Sequence, residues 1–190
     1  MAVAISEAVR GNLTEIQARL KQAGADVGWV APSNIHLTIL FLGTVFESQV
    51  AALASAVDEI VSVYPPGALE VKGIGFFGRA QSPRVIWAGL VGDVQPLLAL
   101  QKEVTEAAKK TGIYTDGKPF HPHLTIGRVR SSCRAQELLQ AMESCRDTIF
   151  GTIIIDRVLL MKSELTAQGP TYTLLHASQL TRESRTCPDS

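Results

Sequence analysis

The chain has 190 residues, of which 46% are hydrophobic and 19% are charged. This length and composition suit one compact domain with a packed core and exclude a chain that is disordered throughout. Lysine and arginine together number 18, as do aspartate and glutamate together, so the formal net charge is zero. This balance argues against binding of long DNA duplexes through their phosphates.

The sequence also indicates where the protein resides. No apolar run is long enough to span a bilayer, and the first ten residues lack the basic and then apolar pattern of a signal peptide. The three cysteines are an odd number without a close CxxC spacing, which favours reduced thiols. We therefore expect a cytoplasmic protein that does not bind membranes, and we expect a monomer.

Apolar periodicity predicts alternating strands and helices along the chain. In the first half the predicted elements are strand 2–5, helix 6–23, strand 34–42, helix 47–63 and strands 69–77 and 84–91. In the second half they are helix 95–111, strand 122–130, helix 133–146 and strands 152–161 and 171–178, followed by a polar tail, 181–190, that is expected to be disordered. Each half ends in a hairpin-like pair of strands, which favours an α+β fold with mainly antiparallel sheets over a doubly wound parallel sheet.

The tetrapeptide His-Leu-Thr-Ile occurs twice, at 36–39 and at 123–126, with an offset of 87 residues. The same offset carries the helix at 6–23 onto 93–110, where a helix is predicted independently. It therefore indicates an internal duplication, with halves of about 1–87 and 88–178. Two copies are too few for a solenoid and predict one two-lobed domain, 1–180, with pseudo-twofold symmetry and a central cleft.

Each copy places a histidine beside a threonine on one face of a strand, because strand side chains alternate between faces. His36 and Thr38 face away from Leu37, and His123 and Thr125 repeat this arrangement. Across a cleft, the hydroxyl groups would hold the oxygens of a tetrahedral anion, and the imidazoles would flank the atom under attack. One neutral and one protonated imidazole can together hydrolyse a phosphodiester without a metal.

Other readings of the same residues are available. A single histidine beside a β-branched residue is typical of an ordinary polar strand face, but two copies in the register of the repeat favour a functional pair. His121 and His123 have a spacing that is found in metal sites, yet no carboxylate or thiolate cluster completes a ligand set. The sequence also lacks a P-loop stretch, and neither a metal nor another cofactor is expected.

At these motifs the sequence resembles the 2H phosphoesterase superfamily, and within it the RNA 2′,3′-cyclic phosphodiesterases, also called 2′-5′ RNA ligases. The stretch WVAPSNIHLTILFLGTV resembles the first family motif and PFHPHLTIGRVR the second. The stretches SPRVIWAGL and KSELTAQGPTYTLL resemble the two hairpins of the family. The resemblance covers roughly residues 2–178.

The resemblance implies a bilobal α+β fold and metal-independent hydrolysis of a 2′,3′-cyclic phosphate to a 2′-phosphate. The substrate would be an RNA end or a small cyclic nucleotide. By motif match, His36 would be the proton donor to the departing 3′ oxygen and His123 the proton acceptor from water. Thr38 and Thr125 would bind the phosphate, and Arg128 corresponds to an arginine that supports it.

Arg128 presents a conflict between this resemblance and strand geometry. On a regular strand, position 128 faces away from His123 and Thr125. The arginine reaches the cleft only if the strand twists or bulges near Gly127. Two aromatic residues in the hairpins, Phe77 and Tyr172, are candidates for stacking on a base, with packing in the core as the alternative.

Two further functions compete with hydrolysis. The same acid–base pair could join RNA ends through a 2′-5′ linkage, because the chemistry serves both directions. A non-catalytic module that binds an RNA end or a nucleotide is the other alternative, and the intact histidine and threonine pairs argue against it.

Overall fold

The computed structural model describes residues 1–115, 117–166 and 169–181. The helices are α1 (Glu7–Lys21), α2 (Glu47–Val61), α3 (Gln95–Lys110) and α4 (Ala135–Glu143), and a 3₁₀ turn covers Pro32–Asn34. The strands are β1 (Ala2–Val3), β2 (Val27–Trp29), β3 (Leu37–Thr38), β4 (Gly67–Arg79), β5 (Ser82–Val91), β6 (His123–Val129), β7 (Ile149–Ile155), β8 (Arg157–Thr166) and β9 (Gly169–Gln179). No helix among these residues is long and apolar enough to cross a membrane.

The nine strands form one sheet with the order β7-β4-β5-β6-β3-β1-β8-β9, and β2 pairs with β6 beside this path. Every recorded pairing between these strands is antiparallel. We call β7, β4, β5 and β6 the first lobe and β3, β1, β8 and β9 the second lobe. The prediction of an α+β fold with two mainly antiparallel lobes is confirmed.

Local sequence signals account well for α1. The Ser6 side chain accepts a hydrogen bond from the backbone N–H of Val9 at 3.3 Å and caps the first turn. The four apolar positions that the periodicity predicted are all buried: Val9, Leu13, Ile16 and Leu20. Burial of each contributes about 1.5–3 kcal/mol before the entropy of ordering the chain is subtracted. After the helix, Gly24 adopts φ +68°, a conformation that glycine tolerates and other residues rarely adopt.

Two predicted strands are wrong in extent. The strand predicted at 34–42 is only Leu37–Thr38, because the 3₁₀ turn occupies Pro32–Asn34 and the chain leaves the sheet after Thr38. The strand predicted at 152–161 is two strands, β7 and β8, which meet at Asp156 and lie at distant positions in the sheet. A run of β-branched and aliphatic residues indicates extended backbone, but it does not reveal which neighbour each part pairs with.

The division of the run at 152–161 means that the lobes exchange strands. The first lobe takes β6 and β7 from the second half of the sequence, and the second lobe takes β1 and β3 from the first half. We retain the division of the chain near residue 87 as a proposal about its origin by duplication. The tail that was expected to be disordered lies outside the described residues from 182 onward, as do residues 167 and 168 of the second hairpin loop.

Candidate active site

The two sequence motifs meet at the junction between the lobes. Leu37 of β3 and Leu124 of β6 are Cα partners in the antiparallel register, and both side chains are fully buried. On the opposite face of this junction lie the four polar side chains of the motifs: His36, Thr38, His123 and Thr125. The residue offset of 87 therefore corresponds to a physical pairing of the two copies.

The register sets how the four polar side chains face each other. When the pairing of Leu37 with Leu124 is continued by one residue in each direction, His36 lies opposite Thr125 and Thr38 lies opposite His123. Directly opposed Cβ atoms are about 5 Å apart, and diagonal neighbours such as the two histidines are roughly 7–8 Å apart. Each imidazole thus stands beside the hydroxyl group of the other motif, with space for a small group between the two rings.

The same backbone contact holds both imidazoles. The His36 Nδ1 is 2.8 Å from the carbonyl oxygen of Asn34, and the His123 Nδ1 is 2.5 Å from the carbonyl oxygen of His121. A carbonyl oxygen can only accept, so Nδ1 carries the hydrogen in each ring. The Nε2 atom is then the ring nitrogen that can take up a proton when the ring is neutral and give one up when it is protonated.

The surroundings favour the neutral form of both rings in the free protein. Burial lowers the pKa of His36 below its usual 6.5, and the hydrogen bond to Asn34 opposes this shift in part. Burial also lowers the pKa of His123, and the nearby charges of His121 and Arg128 lower it further, against the hydrogen bond to His121. An anion bound between the rings would raise both values, since it stabilises an imidazolium.

The two aromatic residues singled out in the sequence each contact one of these histidines. The Tyr172 ring packs edge-on against His36 with 5.2 Å between centroids, and the Phe77 ring packs edge-on against His123 at 4.9 Å. Both rings therefore lie at the cleft, and each limits the orientations of its histidine. Stacking of either ring on a base stays a prediction.

A bulge in β6 resolves the conflict over Arg128. Trp87 of β5 pairs with Thr125, but the next residue of β5, Ile86, pairs with Gly127, so Ile126 is an extra residue in the ladder. One extra residue reverses the alternation of side chains. Arg128 consequently shares the face of Thr125, and its positive charge acts on His123.

Asn34 is a positioning residue that the sequence reasoning did not single out. Its carbonyl oxygen binds His36, and its side-chain Nδ2 donates to the carbonyl oxygen of Pro170 at 2.8 Å, which ties the β8–β9 hairpin to the motif. Offset by 87 residues lies His121, whose carbonyl oxygen binds His123 and whose ring lies 6.2 Å from Phe77 of the other hairpin. Both positioning residues lie two residues before a motif histidine, and this shared spacing is the signal in the sequence that could have identified them.

We predict that Asn34→Ala lowers kcat/KM about five- to tenfold, because one neutral hydrogen bond contributes about 1 kcal/mol. The carbonyl acceptor of His36 remains, so the loss reflects only the freed hairpin. Steady-state kinetics on a nucleoside 2′,3′-cyclic phosphate, the substrate class that the resemblance implies, measure the effect. Asn12→Ala is the matched control, since Asn12 makes a similar bond to the carbonyl oxygen of Phe150 far from the motifs. An equal loss in both variants would contradict the positioning role.

The described residues contain no group of three or more histidine, cysteine, aspartate or glutamate side chains that could hold a metal ion. In this part of the chain the cleft therefore offers an imidazole pair, hydroxyl groups and a guanidinium group. That set of groups suits proton transfer to and from an anionic phosphoester.

Comparison with known proteins gives a consistent picture. The family model of the LigT-like phosphoesterases matches residues 3–87 and again 90–172, and the two matches begin 87 residues apart. The chain belongs to this family. The resemblance to 2H phosphoesterases is therefore confirmed, and so is the prediction of a hydrolase that acts on phosphoesters.

Individual LigT-like relatives cover almost the whole chain. An RNA 2′,3′-cyclic phosphodiesterase of Methanothermobacter thermautotrophicus is 31% identical over 95% of this chain and 97% of its own length. One from Thermotoga maritima is 34% identical, covering 94% of this chain and 93% of its own. Among solved structures, Escherichia coli LigT in its apo form superposes with a TM-score of 0.75 at 25% identity, covering 95% of each chain.

Proposed function

We propose that this protein hydrolyses the 2′,3′-cyclic phosphate of an RNA end, or of a small cyclic nucleotide, to a 2′-phosphate without a metal. The observation that carries the proposal is the matched pair of imidazoles. His36 and His123 each have Nδ1 held by a backbone carbonyl, and the register directs both to one face beside the threonine of the other motif. The names of the relatives at 31% and 34% identity support the substrate class.

In the proposed reaction, His123 in its neutral form takes a proton from water as the water oxygen attacks phosphorus. The bond between phosphorus and the 3′ oxygen breaks, and His36 in its protonated form gives its proton to that oxygen. The product has a free 3′ hydroxyl and a 2′-phosphate. The assignment of the base is supported by Arg128, whose charge disfavours a protonated His123.

The remaining groups of the cleft would stabilise the developing charge. The hydroxyl groups of Thr38 and Thr125 donate to the non-bridging oxygens, and Arg128 balances the negative charge of the pentacoordinate phosphorus. Such preorganised donors need no rearrangement during the reaction, which is why they stabilise a transition state more than water does.

The decisive experiment incubates the protein with adenosine 2′,3′-cyclic phosphate in excess EDTA and identifies the product by chromatography. We expect adenosine 2′-phosphate and no 3′-phosphate. Absence of turnover, or turnover that returns only after addition of a metal, would falsify the proposal. An RNA with a cyclic phosphate end, mixed with a 5′-hydroxyl RNA, measures end joining against hydrolysis in the same buffer.

The lowered pKa values predict the pH dependence. The base must be neutral, so kcat/KM falls below the pKa of His123, and the acid must be protonated, so kcat/KM falls above the pKa of His36. Both values lie below 6.5 in the free protein, which places the optimum of kcat/KM on the acid side of 6.5. Bound phosphate raises the pKa of His36, so the alkaline limb of kcat lies at higher pH. An optimum of kcat/KM on the alkaline side of pH 6.5 would contradict this assignment.

We also propose that the protein acts in the cytoplasm as a monomer. The state of the cysteines supports the location: in the described residues Cys133 is exposed, Cys145 is buried and both are free thiols, as is usual in a reducing compartment.

A further inference from the structure

A polar side chain lies among the buried apolar residues of α1. Gln17 follows Leu13 by four positions, so it falls on the buried face of the helix, and it is only 2% exposed. An amide in such surroundings costs free energy unless its polar atoms form hydrogen bonds. The hydrogen-bond partners of Gln17 therefore indicate what the amide does in the core.

The amide of Gln17 holds the bulge of β6. Its Nε2 donates to the carbonyl oxygens of Ile126 and Val30, each at 2.8 Å, and these two bonds use both hydrogens of the amide nitrogen. Ile126 is the extra residue of β6, which the ladder with β5 skips. Its carbonyl oxygen also accepts from the backbone N–H of Val30 at 3.0 Å. Three hydrogen bonds thus join α1, the residue that follows β2 and the bulge.

The other half of the repeat shows which residue occupies this position where the strand has no bulge. The offset of 87 residues relates Gln17 to Val104 of α3, which is fully buried. The same offset relates Arg128 to the exposed Phe41, which comes after the end of β3 at Thr38. Packing of the helix therefore does not require an amide at this position. The amide occurs in the half that has the bulge and the arginine.

The bulge determines the direction of Arg128. The extra residue places Arg128 on the face of Thr125, where its charge acts on His123. A bulged residue is left out of one ladder, so the orientation of its peptide group depends on the bonds that it makes elsewhere. Without the amide of Gln17, the carbonyl group of the bulge would lose one of the two hydrogen bonds that hold it. Arg128, two residues later, would then be directed less firmly to the cleft.

We propose, on the basis of the function proposed above, that Gln17 is a positioning residue: its amide fixes the bulge of β6 and thereby keeps Arg128 directed at the phosphate. Gln17 lies in the core, away from the cleft, and does not take part in the proton transfers. Its effect on the reaction passes through Arg128, so removal of Arg128 should abolish that effect.

The test replaces Gln17 by methionine, which has nearly the same length and volume but lacks the two donors. We expect Gln17→Met to lower kcat/KM for adenosine 2′,3′-cyclic phosphate about ten- to thirtyfold, since each neutral hydrogen bond accounts for about a fivefold factor. Asn12→Leu is the matched control, because the Asn12 amide on the same helix donates to the carbonyl oxygen of Phe150 in β7 at 2.9 Å. This control should retain the kcat/KM of the parent protein.

Two further measurements separate positioning from a general loss of stability. In the Arg128→Ala background, Gln17→Met should cause little additional loss of kcat/KM, because the residue through which it acts is already absent. In an NMR titration of the free protein, Gln17→Met should raise the pKa of His123, since a guanidinium that has moved away lowers it less. Asn12→Leu should leave this pKa unchanged.

Equal losses in the presence and absence of Arg128, or an unmoved pKa of His123, would overturn the inference. If Gln17→Met is unfolded at the assay temperature, Gln17→Asn replaces it, because asparagine retains an amide but withdraws it from both carbonyl oxygens by one methylene group. Absence of hydrolysis in the parent protein would instead refute the proposed function. The NMR titration, which needs no turnover, would still decide whether Gln17 acts on Arg128.

Discussion

Replacement of either His36 or His123 by alanine is expected to lower kcat/KM for a nucleoside 2′,3′-cyclic phosphate by about 10²- to 10⁴-fold. Each variant removes one proton transfer, while the other imidazole, the threonines and Arg128 remain in place. The losses should not add in the double variant, because the two histidines act in one step. Product formation in EDTA, followed over hours, is sensitive enough to measure the residual rates.

The pH profile separates the two roles, which the loss of rate alone does not. The His123→Ala variant should lose the acid limb of kcat/KM, since no base remains to be protonated, and His36→Ala should lose the alkaline limb. His176→Ala is the matched control: His176 contacts Asp58 of α2 at 2.9 Å and lies outside both motifs. A decrease of less than tenfold in either motif variant, or loss of the same limb in both, would refute the paired roles.

Local signals in the sequence predicted the elements and the motifs, because these features form within single segments of the chain or between neighbouring segments. The α1 prediction depends on a cap and a period of apolar residues within fifteen positions, all of which are properties of the chain segment itself. The hairpins β4–β5 and β8–β9 are likewise formed between neighbouring segments. The repeat in the sequence relates the two motifs to each other. In the structure the two motifs pair directly, with Leu37 opposite Leu124.

The features that the sequence did not reveal depend on pairing between distant segments. The break at Asp156 becomes visible only because β7 pairs with β4 while β8 pairs with β1 and β9.

The bulge at Ile126 belongs to the same class of feature. Strand parity alone directed Arg128 away from the cleft, and the resemblance to the family directed it inward. The extra residue is detectable only when β6 is aligned with β5, where Trp87 pairs with Thr125 and Ile86 with Gly127. A bulge thus converts a seven-residue strand into two segments that present three polar side chains, His123, Thr125 and Arg128, to one face.

Arg128→Ala is expected to lower kcat/KM about a hundredfold, the usual effect of removing one preorganised donor to transition-state charge. Arg128→Lys should recover part of the loss, because a lysine retains the charge without the planar pair of donors. Arg146→Ala is the control, since Arg146 pairs with Glu143 at the end of α4, at an exposed position. Steady-state kinetics with the cyclic nucleotide measure all three variants.

The pH dependence of the Arg128→Ala variant gives a readout that a merely structural role would not change. In the parent protein, burial lowers the pKa of His123 most, and the charges of His121 and Arg128 lower it further. Removal of the guanidinium therefore raises this pKa, and the acid limb of kcat/KM should move to higher pH. In Arg128→Lys the positive charge persists, so its acid limb should stay near that of the parent protein. A loss of activity in Arg128→Ala with an unmoved acid limb would place the Arg128 charge too far from His123 to act on it, and would return Arg128 to the outer face that simple strand alternation predicts.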